Sequence, residues 1–297
     1  MTASICFCKN YSSSPYPRLN INFTFNLDDL EFAYFLKNKF NMGRVSDKNG
    51  SHSCKWIISK ESEILQLLIF CNGYFRTGKI EALQRGLTFF KLKHNIDIPL
   101  KPLDTSPLLS NGWFAGFSEG DSHFLIECRT DKNYPNSKII NTAYCLQVAE
   151  NYCKKVDEKI GFQSNKYFME EIAKTFGVKI HFSKSKPTAT RKQTSSINLK
   201  VSKIESLNLM LEYFTNFPIF SSKYLNYLDW KKIIDLKCEN RKKELSLLHI
   251  FPIAEKIKNG VNSKRTYFNW DHLESFYSLP EDFPKAIKLK KFNSKNK

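Results

Sequence analysis

The 297-residue sequence lacks any apolar stretch that could cross a bilayer: runs such as residues 64–71 fall far short of the roughly 20 that a spanning helix needs. Membrane partners are therefore not expected. The N-terminus shows no charged, apolar, small-residue leader pattern, so a non-secreted protein is expected. Cysteines are present (Cys6, Cys8, Cys54, Cys71, Cys128, Cys145, Cys153 and Cys238), but none forms a CxxC pair and most lie in apolar segments. They read as reduced core residues. Six scattered histidines show no zinc spacing. Glycine-rich phosphate loops, a GxSxG elbow and a Ser/His/Asp grouping are all missing. Acid is scarce as well. Lys plus Arg outnumber Asp plus Glu by 46 to 29, a net +17, and no acid precedes Asp28. Such a balance biases the surface towards polyanions. Richness in Lys, Asn, Ile, Phe and Tyr fits an AT-rich organellar genome.

The most informative segment that is present runs from Trp113 to Ser122. Pro107 and Ser110 supply a breaker and an N-cap, predicting a helix over about 111–121. Gly116 and Gly120, four apart, share one helical face and would admit a second backbone closely. Asp121 would end the helix where the macrodipole is already negative, and a bound cation would compensate that placement. A strand is predicted over 122–129, with Phe124, Ile126 and Cys128 on one face and His123, Leu125, Glu127 and Arg129 on the other.

A repeat organises the remainder. A shift of 144 residues aligns 61–79 with 205–223 and matches seven of nineteen positions, including Asn72 with Asn216 and Lys79 with Lys223. Amphipathic helices are predicted over 28–40 and 166–176, each running through Gly43 or Gly177 into a strand. Second strands follow over 54–59 and 197–202, then an apolar helix. Each half reads strand, strand, helix, strand, strand, helix, helix, and the second has the 111–121 helix in front.

Residues 114–122 resemble the nine-residue signature of the LAGLIDADG homing endonucleases and related intron maturases, with Ser122 in place of the usual final glycine. The resemblance runs from about residue 4 to 277. It implies an α+β fold of two pseudo-symmetric α-β-β-α-β-β-α halves, the first without its leading helix, whose antiparallel sheets make a saddle over double-stranded DNA. The boundaries expected are 1–100 for the first half, 107–237 for the second, and 238–297 for a helical extension, including a helix over 245–258, with a basic tail. A monomeric pseudo-dimer in the mitochondrion, with the chloroplast as the alternative, is implied. So is site-specific, Mg²⁺-dependent DNA hydrolysis. Intron-RNA binding by a maturase without nuclease activity is the alternative.

By the same resemblance, Asp121 binds the metal with the Gly120 carbonyl, and Lys223 and Lys79 assist the chemistry. DNA contacts are expected from His123, Glu127 and Arg129, from the hairpin cations Lys184, Lys186, Arg191 and Lys192, and from Arg44, Lys48 and Lys55. The family normally carries two motif helices. Here the sequence opens on what reads as the strand after the first one, around residues 4–8. Either the protein continues upstream, or this copy cannot cut both strands. An unpartnered motif helix would also expose Phe114, Phe117 or their neighbours.

Overall fold

A computed structural model describes residues 2–8, 18–47, 50–130, 134, 138–187, 193–242, 247–281, 283–285 and 289, with residues 2–8 and 242 as backbone only. The chain divides into two compact units. One comprises Met1–Ser106, Asn151–Asn165 and Leu273–Lys297; the other comprises Pro107–Glu150 and Lys166–His272.

The first unit contains β1 (Thr2–Cys8), β2 (Arg18–Asn26), α1 (Leu30–Phe40), β3 (Arg44–Asp47), β4 (Ser53–Ile58), α2 (Glu61–Cys71) and α3 (Ile80–His94). In the second unit lie α4 (Trp113–Asp121), β5 (Ser122–Thr130), β6 (Lys138–Ala149), α5 (Lys166–Thr175), β7 (Ile180–Lys184), β8 (Ser195–Val201), α6 (Ile204–Asn216), α7 (Lys223–Lys242) and α8 (Phe251–Lys258). Each unit builds one antiparallel four-stranded sheet in the same spatial order, β1-β2-β4-β3 and β5-β6-β8-β7. The expected element order is therefore present in both.

Period-two alternation explains the sheets. On β5, Ser122, Phe124, Ile126 and Cys128 are buried while His123 and Arg129 are exposed, so one face joins the core and the other meets solvent. Phe124 packs among Tyr144, Phe214, Tyr227 and Trp230. In the first sheet Leu19, Ile21 and Phe25 of β2 take the inward role, with Cys54, Trp56 and Ile58 of β4. Gly43 and Gly177, equivalent in the repeat, both adopt left-handed backbone (φ +64° and +63°), which glycine reaches without steric cost.

Helix α4 begins at Trp113, two residues after the expected start. Ser110 caps nothing: its hydroxyl donates to the Pro107 carbonyl at 2.8 Å. Asn111 Oδ1 accepts instead from the Trp113 amide at 2.9 Å. At the far end, α8 starts at Phe251 beside Pro252, whose ring suits a first turn and no later position; the expected start at 245 lies outside the described residues. Phe114 is fully buried, against Tyr144, Phe176, Tyr213 and Phe214. Phe117 lies between Trp113 and Phe168. The apolar motif residues thus face their own unit's core, correcting the expectation of exposure. Gly116 is exposed, and a Cβ added there would meet nothing within 4 Å.

Candidate nucleic-acid site at the end of α4

Helix α4 is tied at both ends. Near its start the Tyr213 hydroxyl accepts from the Ala115 amide at 2.9 Å and donates to the Asn111 carbonyl at 2.8 Å. At its end two side chains reach in opposite directions. The buried Glu119 carboxylate accepts from the amides of Phe220 and Ser221, the latter at 3.1 Å. In return, the Lys223 ammonium donates to the carbonyls of Ser118 at 2.8 Å and Ser122 at 2.6 Å. This reciprocal clasp joins the last turn of α4 to the first residue of α7. It also places a cation where the helix macrodipole is most negative. The compensating charge predicted for that end is therefore supplied by the chain itself. Burial pushes the Glu119 carboxyl up, against the opposing hydrogen bonds from Ser221 and Phe220 and the nearby Lys223 charge.

Asp121 follows, exposed on the last residue of α4. Gly120, half-buried, precedes it. Among the described residues no three His, Cys, Asp or Glu side chains gather as a metal cluster. A lone carboxylate with a backbone carbonyl is too sparse for zinc. It suits a hard cation such as Mg²⁺, which keeps most of its water and takes its other ligands from phosphate oxygens. These donors fit the implied metal.

His123 stands next on the exposed face, with its pKa lowered by burial and by the Lys223 charge. The row continues through Glu127, which pairs with Asn141 across the sheet and accepts from its amide at 3.0 Å. Glu127 is held below the usual carboxylate range, first by that hydrogen bond. Arg129 completes the row. On the neighbouring strands the same face carries Gln147, Ser196, Asn198, Lys200, His181 and Ser183. Gln147 donates to Ser196 at 3.0 Å, and Asn198 to Ser183 at 2.7 Å.

Lys184 departs from its expected grouping. It lies opposite Ser195, in the row of Phe182 and Ile197, the other side from Glu127. Because strand side chains alternate, Ser183 takes the place on the polar face. Lys186 is exposed beyond β7; Arg191 and Lys192 lie outside the described residues.

In the first unit the exposed Arg44 and Lys55 share a sheet face with the half-buried Asn22 and Thr24. Lys48 lies outside the described residues. Lys79 is exposed, and its amide donates to Thr77 Oγ1 at 3.4 Å, just as the Lys223 amide donates to Ser221 Oγ at 3.3 Å. The repeat is thus kept in the backbone at these lysines. Asn72 and Asn216 diverge, the first buried and bonded to Pro99 and Lys101, the second exposed. Sequence reasoning missed Asn141, Gln147, Asn198 and Lys200, although the alternation used on β5, applied to β6 and β8, would have found them. Glu119 could not be found so easily, because its partners lie 101 and 102 residues away.

The intron-encoded DNA endonuclease aI3 of Saccharomyces cerevisiae is 31% identical over 271 residues, 85% of this chain and 65% of that protein. A probable intron-encoded endonuclease 4 of Neurospora crassa is 24% identical over 82% of this chain and 40% of its own length. The chain thus spans less than two thirds of these curated relatives. The crystal structure of the homing endonuclease I-SmaMI bound to cleaved DNA matches the fold with a TM-score of 0.62. It covers 89% of this chain and 93% of that one at 19% identity. I-LtrWI bound to target DNA gives 0.61 over 89% and 94%, at 15% identity. Residues 4–89 and 114–234 match the family model described as LAGLIDADG endonuclease. With the signature helix ending on Asp121 and two sheets of identical order, the chain belongs to the LAGLIDADG endonuclease family.

Proposed function

We propose that this chain is a sequence-specific, metal-dependent DNA endonuclease acting on a long double-stranded target. The observation that carries the proposal is Asp121, exposed at the end of a helix locked by the Glu119–Lys223 clasp and next to a polar sheet face. In this reading Asp121 and the Gly120 carbonyl hold Mg²⁺. That ion supplies a nucleophilic water and neutralises charge at the scissile phosphate. The clasp fixes the backbone on either side of Asp121, and Lys223 adds positive charge near the reacting phosphate. Lys79 would serve the first unit.

The exposed rows bind DNA: Arg129, Lys200, Arg44 and Lys55, with Lys186, supply phosphate contacts, while Glu127, Asn141, Gln147 and Asn198 offer base-edge chemistry. His123 lies where the reading row meets the cleavage site. The relatives' names, one of them a cox1 intron-2 protein of Schizosaccharomyces pombe, support an intron product working in the mitochondrion. A monomer with two sheets is the proposed assembly.

The test is a cleavage screen with Mg²⁺ over intron-less gene DNA. A break at one site, lost in Asp121→Asn, is expected. Tight intron-RNA binding with no DNA break under any condition would overturn the endonuclease reading.

A further inference from the structure

The loop that closes the clasp is held from a third direction, by the segment that follows α8. Asn262 donates its amide to Asn226 Oδ1 on α7 at 2.9 Å and its side chain to the Phe124 carbonyl at 3.1 Å. Arg265 then donates to Asn226 Oδ1 at 2.9 Å and pairs with Asp229 of α7. The segment therefore runs strapped along α7 and ends at His272. Its Nε2 donates to the Phe220 carbonyl at 2.9 Å, while the ring stacks on Tyr224 at 4.3 Å. The Ser221 amide of that same peptide group, and the Phe220 amide one peptide earlier, serve Glu119. Loop 219–222 is thus gripped through its amides from α4 and through a carbonyl from the strap.

We propose that His272 is a positioning residue for the Asp121 site: its bond to the Phe220 carbonyl holds the loop whose amides and Lys223 orient the end of α4. This inference rests on the metal reading of Asp121 given above. Nothing of the nine-residue signature encodes it, since the grip comes from a residue 151 positions after Asp121. The Tyr224 stack positions the ring; the N–H does the holding.

The test uses His272→Phe, which keeps a flat ring and removes the donor, and His272→Gln, which keeps a donor. Amide hydrogen exchange of the full chain reads the loop directly, and Mn²⁺ binding followed by electron paramagnetic resonance reads the carboxylate. In His272→Phe, exchange at Phe220 and Ser221 should quicken about tenfold, the scale of one lost hydrogen bond. Mn²⁺ should bind several-fold more weakly, with the thermal midpoint lower by no more than about 4 °C. His272→Gln should restore both. Unchanged exchange would overturn the proposal. So would faster exchange with undiminished Mn²⁺ affinity, or a loss that Gln cannot restore, which would leave His272 only a packing role. Asp121→Asn separates the two readings. If Mn²⁺ binding is absent or indifferent to that change, the metal reading falls, and the exchange result alone decides whether His272 holds the loop.

Discussion

Replacing Asp121 by asparagine keeps the size of the side chain and removes its charge. Cleavage is expected to fall by about 10³-fold or more, since metal activation accounts for several kcal/mol. DNA binding measured in Ca²⁺ should change by less than about threefold, because the sheet faces stay intact. Arg76 offers a stability prediction. Its guanidinium is 1% exposed and donates to Asp104 at 3.0 Å and to the Ser106 carbonyl at 2.5 Å. Arg76→Met would take the charge partner from Asp104, and urea denaturation should show a loss of about 3 kcal/mol. Burial raises the Asp104 pKa, but hydrogen bonds from Ser106 and the Arg76 charge prevail and hold it below 3.8. A depressed carboxylate contributes stability that is present above its unfolded pKa and lost as pH falls through the folded one. The Arg76 variant should therefore lose less stability below about pH 4 than the parent does. His272 works in a higher window. Burial holds it below 6.5, so it folds neutral, and its contribution fades as pH drops from 6.5. Thermal midpoints should decline more steeply below 6.5 in the parent than in His272→Gln; His123, lowered likewise, contributes equally to both.

Among the elements, the two left-handed glycines separate conformation from space. A Cβ on Gly43 would collide with the Ile57 carbonyl oxygen, whereas one on Gly177 would meet nothing within 4 Å. Gly177→Ala should cost about 1–2 kcal/mol, the left-handed penalty alone. Gly43→Ala should cost clearly more by the same denaturation measurement. Equal losses would mean that β4 yields locally. Both turns were legible as helix-to-strand junctions because glycine follows an amphipathic stretch. The strands were legible too, since Phe124, Ile126 and Cys128 alternate with His123 and Arg129. What was hidden lies in the side-chain partners. Ser110 looked like a cap, but Asn111 competed for the same amide. Glu119 was not singled out, because its partners come from Phe220 and Ser221. Lys223 was expected to act on phosphate, and its grip on the carbonyls of Ser118 in α4 and Ser122 in β5 was not foreseen. Local pattern carries the elements. Side-chain partners a hundred residues apart leave no periodic trace.

Taken over the whole molecule, the net charge of +17 governs how binding responds to salt. Affinity for any duplex should fall steeply with ionic strength as counterions are released. Arg44, Lys55, Arg129 and Lys200 stand on the exposed faces of the two sheets. Changing all four to Gln should flatten the slope of log affinity against log salt by up to about 0.9 for each phosphate no longer neutralised. A slope left unchanged would show that these four cations do not touch the DNA backbone. Removing the charge of Lys184, on the opposite side of β7, should alter the slope less than removing that of Lys200.

Several side chains on the polar face of the second sheet already have partners across the strands. Glu127 is already occupied by Asn141, Ser196 by Gln147, and Ser183 by Asn198. Under the proposed DNA reading, contacting a base edge would be an exchange of partners, and the gain would be the difference between two bonds. Changing one member of a pair also releases the other, so a substitution meant to alter one base preference will disturb a second. Retargeting such a surface one residue at a time should give strongly non-additive results. Double substitutions at Glu127 with Asn141, or at Asn198 with Ser183, should succeed where their single components fail. The unit of inheritance for target choice would then be the cross-strand pair, and drift towards a new site would proceed in coupled steps.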